Sequence, residues 1–201
     1  MPDYFENKTH LSTSFLKKVL NPNLTFPKSD TLEFGQMVDT LLSEWQPLLI
    51  MNLSCTTPES MEVTEEALAL SKVYVDNNKL LQTPKSRYQW EVYKTVIINE
   101  TPTKCRGKLD HWIKGMFVED FKTTRTAPTT RHGFDTLLNY FSYDMQAAMY
   151  LALTGEKQFW FSFLCRTKQT LTQFPISEKM LSNGRDKIQK AVKLWHEQSQ
   201  S

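Results

Sequence analysis

Cysteine is scarce in this chain and scattered. Cys55, Cys105 and Cys165 are the three among 201 residues, and no two form a CxxC pair. That argues against a zinc or iron–sulfur site built on local spacing, and an odd, dispersed set suits a reducing cytosol. Long hydrophobic runs are missing too. No apolar stretch approaches the ~20 residues that span a bilayer, and no basic stretch followed by an apolar one opens the sequence. The expectation is a cytoplasmic protein with neither membrane span nor signal peptide. There is almost no surplus of one charge: 24 Lys and Arg stand against 22 Asp and Glu, a net of +2. A nucleic acid would therefore be held by a local patch rather than by the whole surface. No internal repeat or low-complexity segment interrupts the chain.

What is present can build a core. Hydrophobic residues make up 40% of the chain, including twelve Phe and five Trp, and the length suits a single domain over 1–201. Ser12 as an N-cap and Asn-Pro-Asn at 21–23 bound a first helix, 12–20. Phe34, Val38, Leu41, Leu42 and Trp45 form one apolar stripe and predict a helix over 31–45. Residues 47–53 read as a buried strand. Residues 58–76 read as a helix with Met61, Ala67, Leu68 and Leu70 available for burial. Three strands follow at 88–98, 104–113 and 116–123. Asn-Glu-Thr-Pro-Thr parts the first two, and Lys114-Gly115 turns between the last two. Residues 124–134 read as a polar loop, then 134–140 and 143–153 as helices. Strands at 157–166 and 170–176 precede an amphipathic helix over 177–198, with Ile188, Val192 and Trp195 on one face. The predicted fold is α/β: a central mixed β-sheet with an antiparallel meander, flanked by α-helices.

The meander carries the candidate chemistry. Side chains alternate along a strand, so Asp120 and Lys122 share a face with Val118, while Phe117, Glu119 and Phe121 take the other. Asp110 lies across the turn and can join the first set. Two clustered carboxylates repel, and a hard divalent cation such as Mg²⁺ relieves that repulsion. A neighbouring lysine can orient water or stabilise charge on a phosphate. An Asp/Lys pair two residues apart is commonplace and most such pairs simply face water, so spacing alone favours an ordinary solvated face over metal chemistry. Basic residues gather alongside. Lys104, Arg106 and Lys108 alternate along the strand that carries Asp110, and Arg125, Arg131 and His132 follow the third strand. Thr123 and Thr124 open a threonine-rich loop suited to phosphate contacts. Gln146 and Tyr150, four apart, share one helix face.

Gly107-Lys108-Leu109-Asp110 followed by Asp120-Phe121-Lys122-Thr123-Thr124 resembles the active-site hairpin of the PD-(D/E)xK nuclease superfamily. Within it, the pattern is most similar to the RecE-like, exonuclease VIII branch. Three more segments fit, in the family's order. Residues 10–23 resemble its Ser-x-Ser-x-Leu-Lys segment. Residues 34–44 resemble its Phe-Gly-x-x-x-His-x-Leu-Leu helix, and residues 143–155 its Gln-x-x-x-Tyr helix. The resemblance implies a restriction-endonuclease-like core. It implies metal ligation by Asp110, Asp120 and the Phe121 carbonyl, with Lys122 positioning the attacking water. It also implies that Gln146 and Tyr150 buttress the site, and that Ser12 and Ser14 lie near a 5′-terminal phosphate. One departure stands out: Asp39 occupies the place of the family's histidine ligand. Aspartate remains a hard oxygen donor, suited to Mg²⁺ or Mn²⁺.

The function so implied is 5′→3′ exonuclease action on double-stranded DNA ends in phage-type recombination. The partners implied are a ring-shaped homo-oligomer and a single-strand annealing protein. A structure-specific or restriction-type endonuclease is the alternative within the superfamily. A catalytically idle DNA-binding module is the alternative outside catalysis, and Asp39 gives it some force.

Overall fold

A computed structural model describes residues 10–23, 30–44, 58–77 and 85–200. The elements formed are α1 (Thr13–Leu20), α2 (Asp30–Glu44), α3 (Pro58–Asn77), β1 (Ser86–Ile98), β2 (Thr101–Ile113) and β3 (Phe117–Thr124). They are followed by α4 (Arg131–Phe141), α5 (Tyr143–Thr154), β4 (Phe159–Cys165), β5 (Thr170–Pro175) and α6 (Glu178–Gln200). The expected strand at 47–53, Trp45 and the Met61 side chain lie outside the described residues.

The strands form one sheet in the order β1-β2-β3-β4-β5. β1, β2 and β3 make an antiparallel meander, β4 joins β3 in parallel after the α4–α5 crossover, and β5 closes antiparallel on β4. This is the restriction-endonuclease-like core. Alternation gives each sheet face its own apolar set. On one face Leu109, Val118, Phe159, Phe161 and Phe163 pack with Met145, Met149 and Leu153 of α5 and with α1, α4 and α6. On the other, Phe121 and Leu164 pack with Phe34 and Val38 of α2 and Leu70 and Tyr74 of α3. No described helix is long and apolar enough to cross a membrane.

α5 is buried on almost every side, as a helix between a sheet and another helix must be. Two glycines permit that closeness. A Cβ on Gly107 of β2 would lie 2.8 Å from Leu153 Cδ1 and 2.9 Å from Tyr150 Cε1. A Cβ on Gly184 of α6 would lie 2.2 Å from the Asp144 carbonyl oxygen.

Three expectations shift. The gap expected between the first two strands shrinks to Asn99 and Glu100, both at positive φ (50° and 63°). That is the backbone of a tight two-residue hairpin turn, and β2 starts at Thr101 despite Pro102. The first helix after the meander starts at Arg131 rather than 134, because the Thr130 side chain caps it, accepting from Gly133 N at 3.1 Å. Arg131 and His132 therefore belong to α4, not to a loop. Strict alternation along β2 also fails at one residue, and that residue is Asp110.

Candidate active site

The register of β2 on β3 runs Ile113↔Phe117, Trp112↔Val118, His111↔Glu119 and stops. Further along, the outer edge of β2 takes Leu11 instead, with Leu11 N to Lys104 O and Arg106 N to Leu11 O both at 2.9 Å. β2 and β3 thus part, and Asp110 sits where they do. Gln89 of β1 faces it, between the pairs Tyr88↔His111 and Trp90↔Leu109. Its φ of 48° is left-handed, a conformation that a non-glycine residue holds only when its surroundings impose it. Across this kink Leu109 joins the α5 core, while His111 meets Tyr74 and Glu119 on the opposite face. The Asp110 carboxylate turns into the gap. Its Oδ2 accepts from Phe121 N at 2.9 Å, and Gln89 Nε2 donates to Oδ1 at 3.4 Å.

Asp120 is 1% exposed on the α5 side of β3. The Gln146 amide donates to its Oδ1. Its Oδ2 is paired with the Lys122 ammonium. Gln146 Nε2 lies 3.4 Å from the Tyr150 hydroxyl, which donates to the Lys108 carbonyl at 2.9 Å. Gly107 makes this possible by letting the Tyr150 ring lie close on β2. Lys122 also sits 4.9 Å from the centre of the Tyr143 ring.

The electrostatics bring in Asp39 from α2. Burial, then the charge of Asp120, pushes its carboxyl up to about 7, against the pull of Lys122 and Lys108. Asp110 is raised well above the carboxylate range by burial, then by Asp120 and Asp39, with Lys122 and the Phe121 N–H opposing. For Lys122, burial lowers the pKa, but Asp120, Tyr143 and Asp110 outweigh it and hold the ammonium above its ordinary value. Three carboxylates and a lysine therefore share one neighbourhood.

Among the described residues no group of three or more His, Cys, Asp or Glu side chains is placed to hold a metal ion as the side chains stand. The donor set nonetheless fits a hard divalent cation. All three acids offer oxygen, two hold their protons abnormally because of burial and one another, and Asp120 Oδ2 is a buried oxygen that already faces a cation, Lys122. Asp39, Asp110 and Asp120 are the side chains that would hold one.

The candidate DNA contacts are spread more widely. Lys108 is half-buried, and its charge reaches Asp39. Ser12 caps α1, accepting from Phe15 N at 3.3 Å, and Ser14 is exposed one residue into that helix. Arg106 is buried beside the Leu11 bridge. Thr123 Oγ1 packs against Gly35 of α2, and the Thr124 hydroxyl donates to Thr126 O at 3.2 Å. Arg125 is exposed, and its carbonyl accepts from Thr167. Arg131 is drawn elsewhere: it donates to Pro175 O at 2.8 Å and pairs with Asp135 at 3.0 Å.

Sequence reasoning passed over three residues at this site. Lys17 reaches over from α1 to donate to Phe141 O at 2.7 Å, 5.4 Å from the Tyr143 ring. Burial, then Lys122, lowers it to about 8. Its signal was present, since it closes the Ser-x-Ser-x-Leu-Lys segment. Tyr143 and Gln89 carried no such signal.

No family model and no curated protein matches the chain. Solved structures do resemble it. A candidate exonuclease from Eubacterium rectale has a TM-score of 0.68 at 17% identity, covering 96% of this chain and 84% of that one. A phage-related exonuclease from Haemophilus somnus 129PT has a TM-score of 0.47 at 14% identity over 95% of each chain. An alkaline exonuclease from Laribacter hongkongensis has 0.41 at 13%, over 94% and 89%. At these identities the first likeness establishes a shared fold, and the other two carry no argument.

Proposed function

We propose that this chain is a divalent-cation-dependent deoxyribonuclease of the RecE-like kind, a 5′→3′ exonuclease acting on double-stranded ends in phage-type recombination. The observation that carries the reading is the gathering of half-buried Asp39 and Asp110 and buried Asp120 with Lys122 where β2 and β3 part. A fold shared with a candidate exonuclease supports it.

Each side chain then has a task. Asp39, Asp110 and Asp120, with the Phe121 carbonyl, present oxygens to Mg²⁺ or Mn²⁺. A cation held there would polarise the scissile phosphate and offset its charge. Lys122, held by Asp120, orients the attacking water and balances developing negative charge. Gln146 fixes the Asp120 carboxylate, and Tyr150 ties Gln146 to the backbone of β2. Lys108 and Arg125 meet backbone phosphates, with Ser12, Ser14, Thr123 and Thr124 as hydroxyl donors. On the same reading the working form is a ring-shaped homo-oligomer that hands its product to a single-strand annealing protein.

The test follows purified protein on linear duplexes and covalently closed circles across Mg²⁺ and Mn²⁺ concentrations. Linear DNA is digested from its 5′ ends and circles persist. Lys122→Ala and Asp120→Ala each slow digestion by about 10²–10³-fold with unchanged folding. Circles cut as fast as ends would convert the reading to an endonuclease. Binding of DNA without digestion in either metal would leave a DNA-binding module.

A further inference from the structure

The kink at Gln89 also shapes a second feature of the sheet. Lys85, Arg87, Trp90, Trp112 and Lys114 line a cavity of about 620 Å³. Regular alternation would set Arg87 and Trp90 on opposite faces. With left-handed Gln89 between them both line the cavity, and the Arg87 guanidinium lies 5.8 Å from the Trp90 ring centre. Arg87 is also the register partner of Trp112. Trp112 is held in place, because its Nε1 donates to Glu156 Oε1 at 3.1 Å. The same oxygen accepts from Gly115 N in the β2–β3 turn at 2.7 Å. The Glu156 carboxylate that touches Trp112 is thus engaged by two N–H donors. Trp90 remains 46% exposed, and Lys85, Arg87 and Lys114 are exposed with it.

Two indoles and three cations around one cavity narrow the choice of ligand. A purely apolar ligand has no use for the cations, and an inorganic anion has no use for the indoles. A duplex hides the faces of its bases. A single nucleic-acid strand offers flat bases and phosphates in alternation, and aromatic side chains interleaved with Lys and Arg are how proteins hold one. We propose that this cavity binds single-stranded DNA, with a base stacked on Trp90 and the adjoining phosphates on Lys85, Arg87 and Lys114. The proposal rests on the deoxyribonuclease reading for its choice of nucleic acid. Its position agrees. Trp112 is two residues from Asp110 along β2, about 7 Å at strand rise, and Gln89 itself touches Asp110. A strand unpaired beside the cleavage site would pass within reach.

The experiment titrates the full chain with a short oligothymidylate in chelator, following tryptophan fluorescence at several salt concentrations. The wild type binds with quenching. Trp90→Ala weakens binding about tenfold. Lys114→Glu weakens it and flattens its salt dependence. Tyr140→Ala, on a residue 80% exposed and outside the cavity wall, leaves it unchanged. Melting curves confirm that each variant is folded. Absence of wild-type binding overturns the proposal. So does wild-type affinity in both Trp90→Ala and Lys114→Glu, or an equal loss in Tyr140→Ala. Because no cleavage occurs in chelator, the two readings fail separately. Digestion by wild type with normal binding by both Trp90→Ala and Lys114→Glu removes only the cavity. Binding through Trp90 without digestion in any metal removes only the nuclease.

Discussion

Glu119 adjoins Asp120 in sequence and lies on the opposite face of the sheet, 1% exposed. Its Oε2 accepts from the Tyr74 hydroxyl and stands 2.9 Å from His111 Nδ1. Its Oε1 accepts from the Ser162 hydroxyl and from Gln173 Nε2, the latter at 2.9 Å. His111 Nε2 reaches Ser86 Oγ at 3.0 Å, and its ring stacks on Tyr88 at 4.4 Å. The network fastens α3, β1, β2, β4 and β5 to β3 from one side, as Gln146 fastens Asp120 from the other. Removing the carboxylate strands several buried polar groups at once. Glu119→Leu should therefore cost about 3–5 kcal/mol in urea unfolding, while Glu119→Gln, which keeps an acceptor, costs less. Alternation already pointed Glu119 away from the active site. What it meets was illegible, because its partners lie between residues 74 and 173. Lys17 gives a second residue-scale prediction. Burial and Lys122 lower it to about 8, whereas the unfolded chain holds that proton to 10.5. Between those values the unfolded state binds more protons, so stability rises with pH across this window. Lys17→Met should remove that rise and stabilise the protein below pH 8, read by denaturant midpoints over a pH series.

Among the elements, α5 shows where sequence reading succeeds and where it stops. Its apolar run and its Gln-x-x-x-Tyr spacing were plain in the sequence. Its neighbours were not, since they depend on which helix crosses it and how closely. α6 crosses where Gly184 meets the Asp144 carbonyl, and Lys187 Nζ pairs with the buried Asp144 carboxylate at 2.6 Å. A Cβ at 184 would strike backbone rather than a movable side-chain tip. Gly184→Ala should force the helices apart and cost about 3 kcal/mol, the upper part of the overpacking range, in thermal or urea unfolding. Gly107→Ala would meet only side chains, the tip of Leu153 and the ring of Tyr150. It should cost less stability and more activity, because the displaced ring carries the hydroxyl that links Gln146 to Lys108. The strands teach the same lesson. The meander could be read from β-branched and aromatic runs. The left-handed backbone at Gln89 could not, because glutamine announces no such conformation. That one residue decides both the setting of Asp110 and the wall of the aromatic cavity.

At the scale of the whole molecule, the candidate site is where the two cores meet. Asp39 comes from α2 in one core. Asp120 is held by α5 in the other, and Asp110 stands in the seam between β2 and β3. The hairpin motif in the sequence identified two of the three acids. The third was visible only as the residue where a histidine was expected, and its partial burial beside Asp120 belongs to the assembled fold. Without a cation this arrangement opposes folding. The Asp39 carboxyl holds its proton to about 7 in the folded state and to 3.8 when unfolded. Between those values the native state binds more protons, so stability falls as pH rises through that window. In chelator, Asp39→Asn should reduce this fall, leaving the part that the raised Asp110 contributes, and melt above the wild type at pH 8. A divalent cation should act in the opposite sense, since it binds the native arrangement and not the dispersed acids of the unfolded chain. At a hundredfold excess over its dissociation constant it adds about 2.7 kcal/mol, a rise of about 5–10 °C in melting temperature for a chain of this size. Asp110→Asn and Asp39→Asn should each shrink that rise in Mg²⁺ and in Mn²⁺, whether or not any DNA is present. A wild type whose melting temperature ignores both metals at pH 8 would remove the cation from the site and leave the acids as a cost without a purpose.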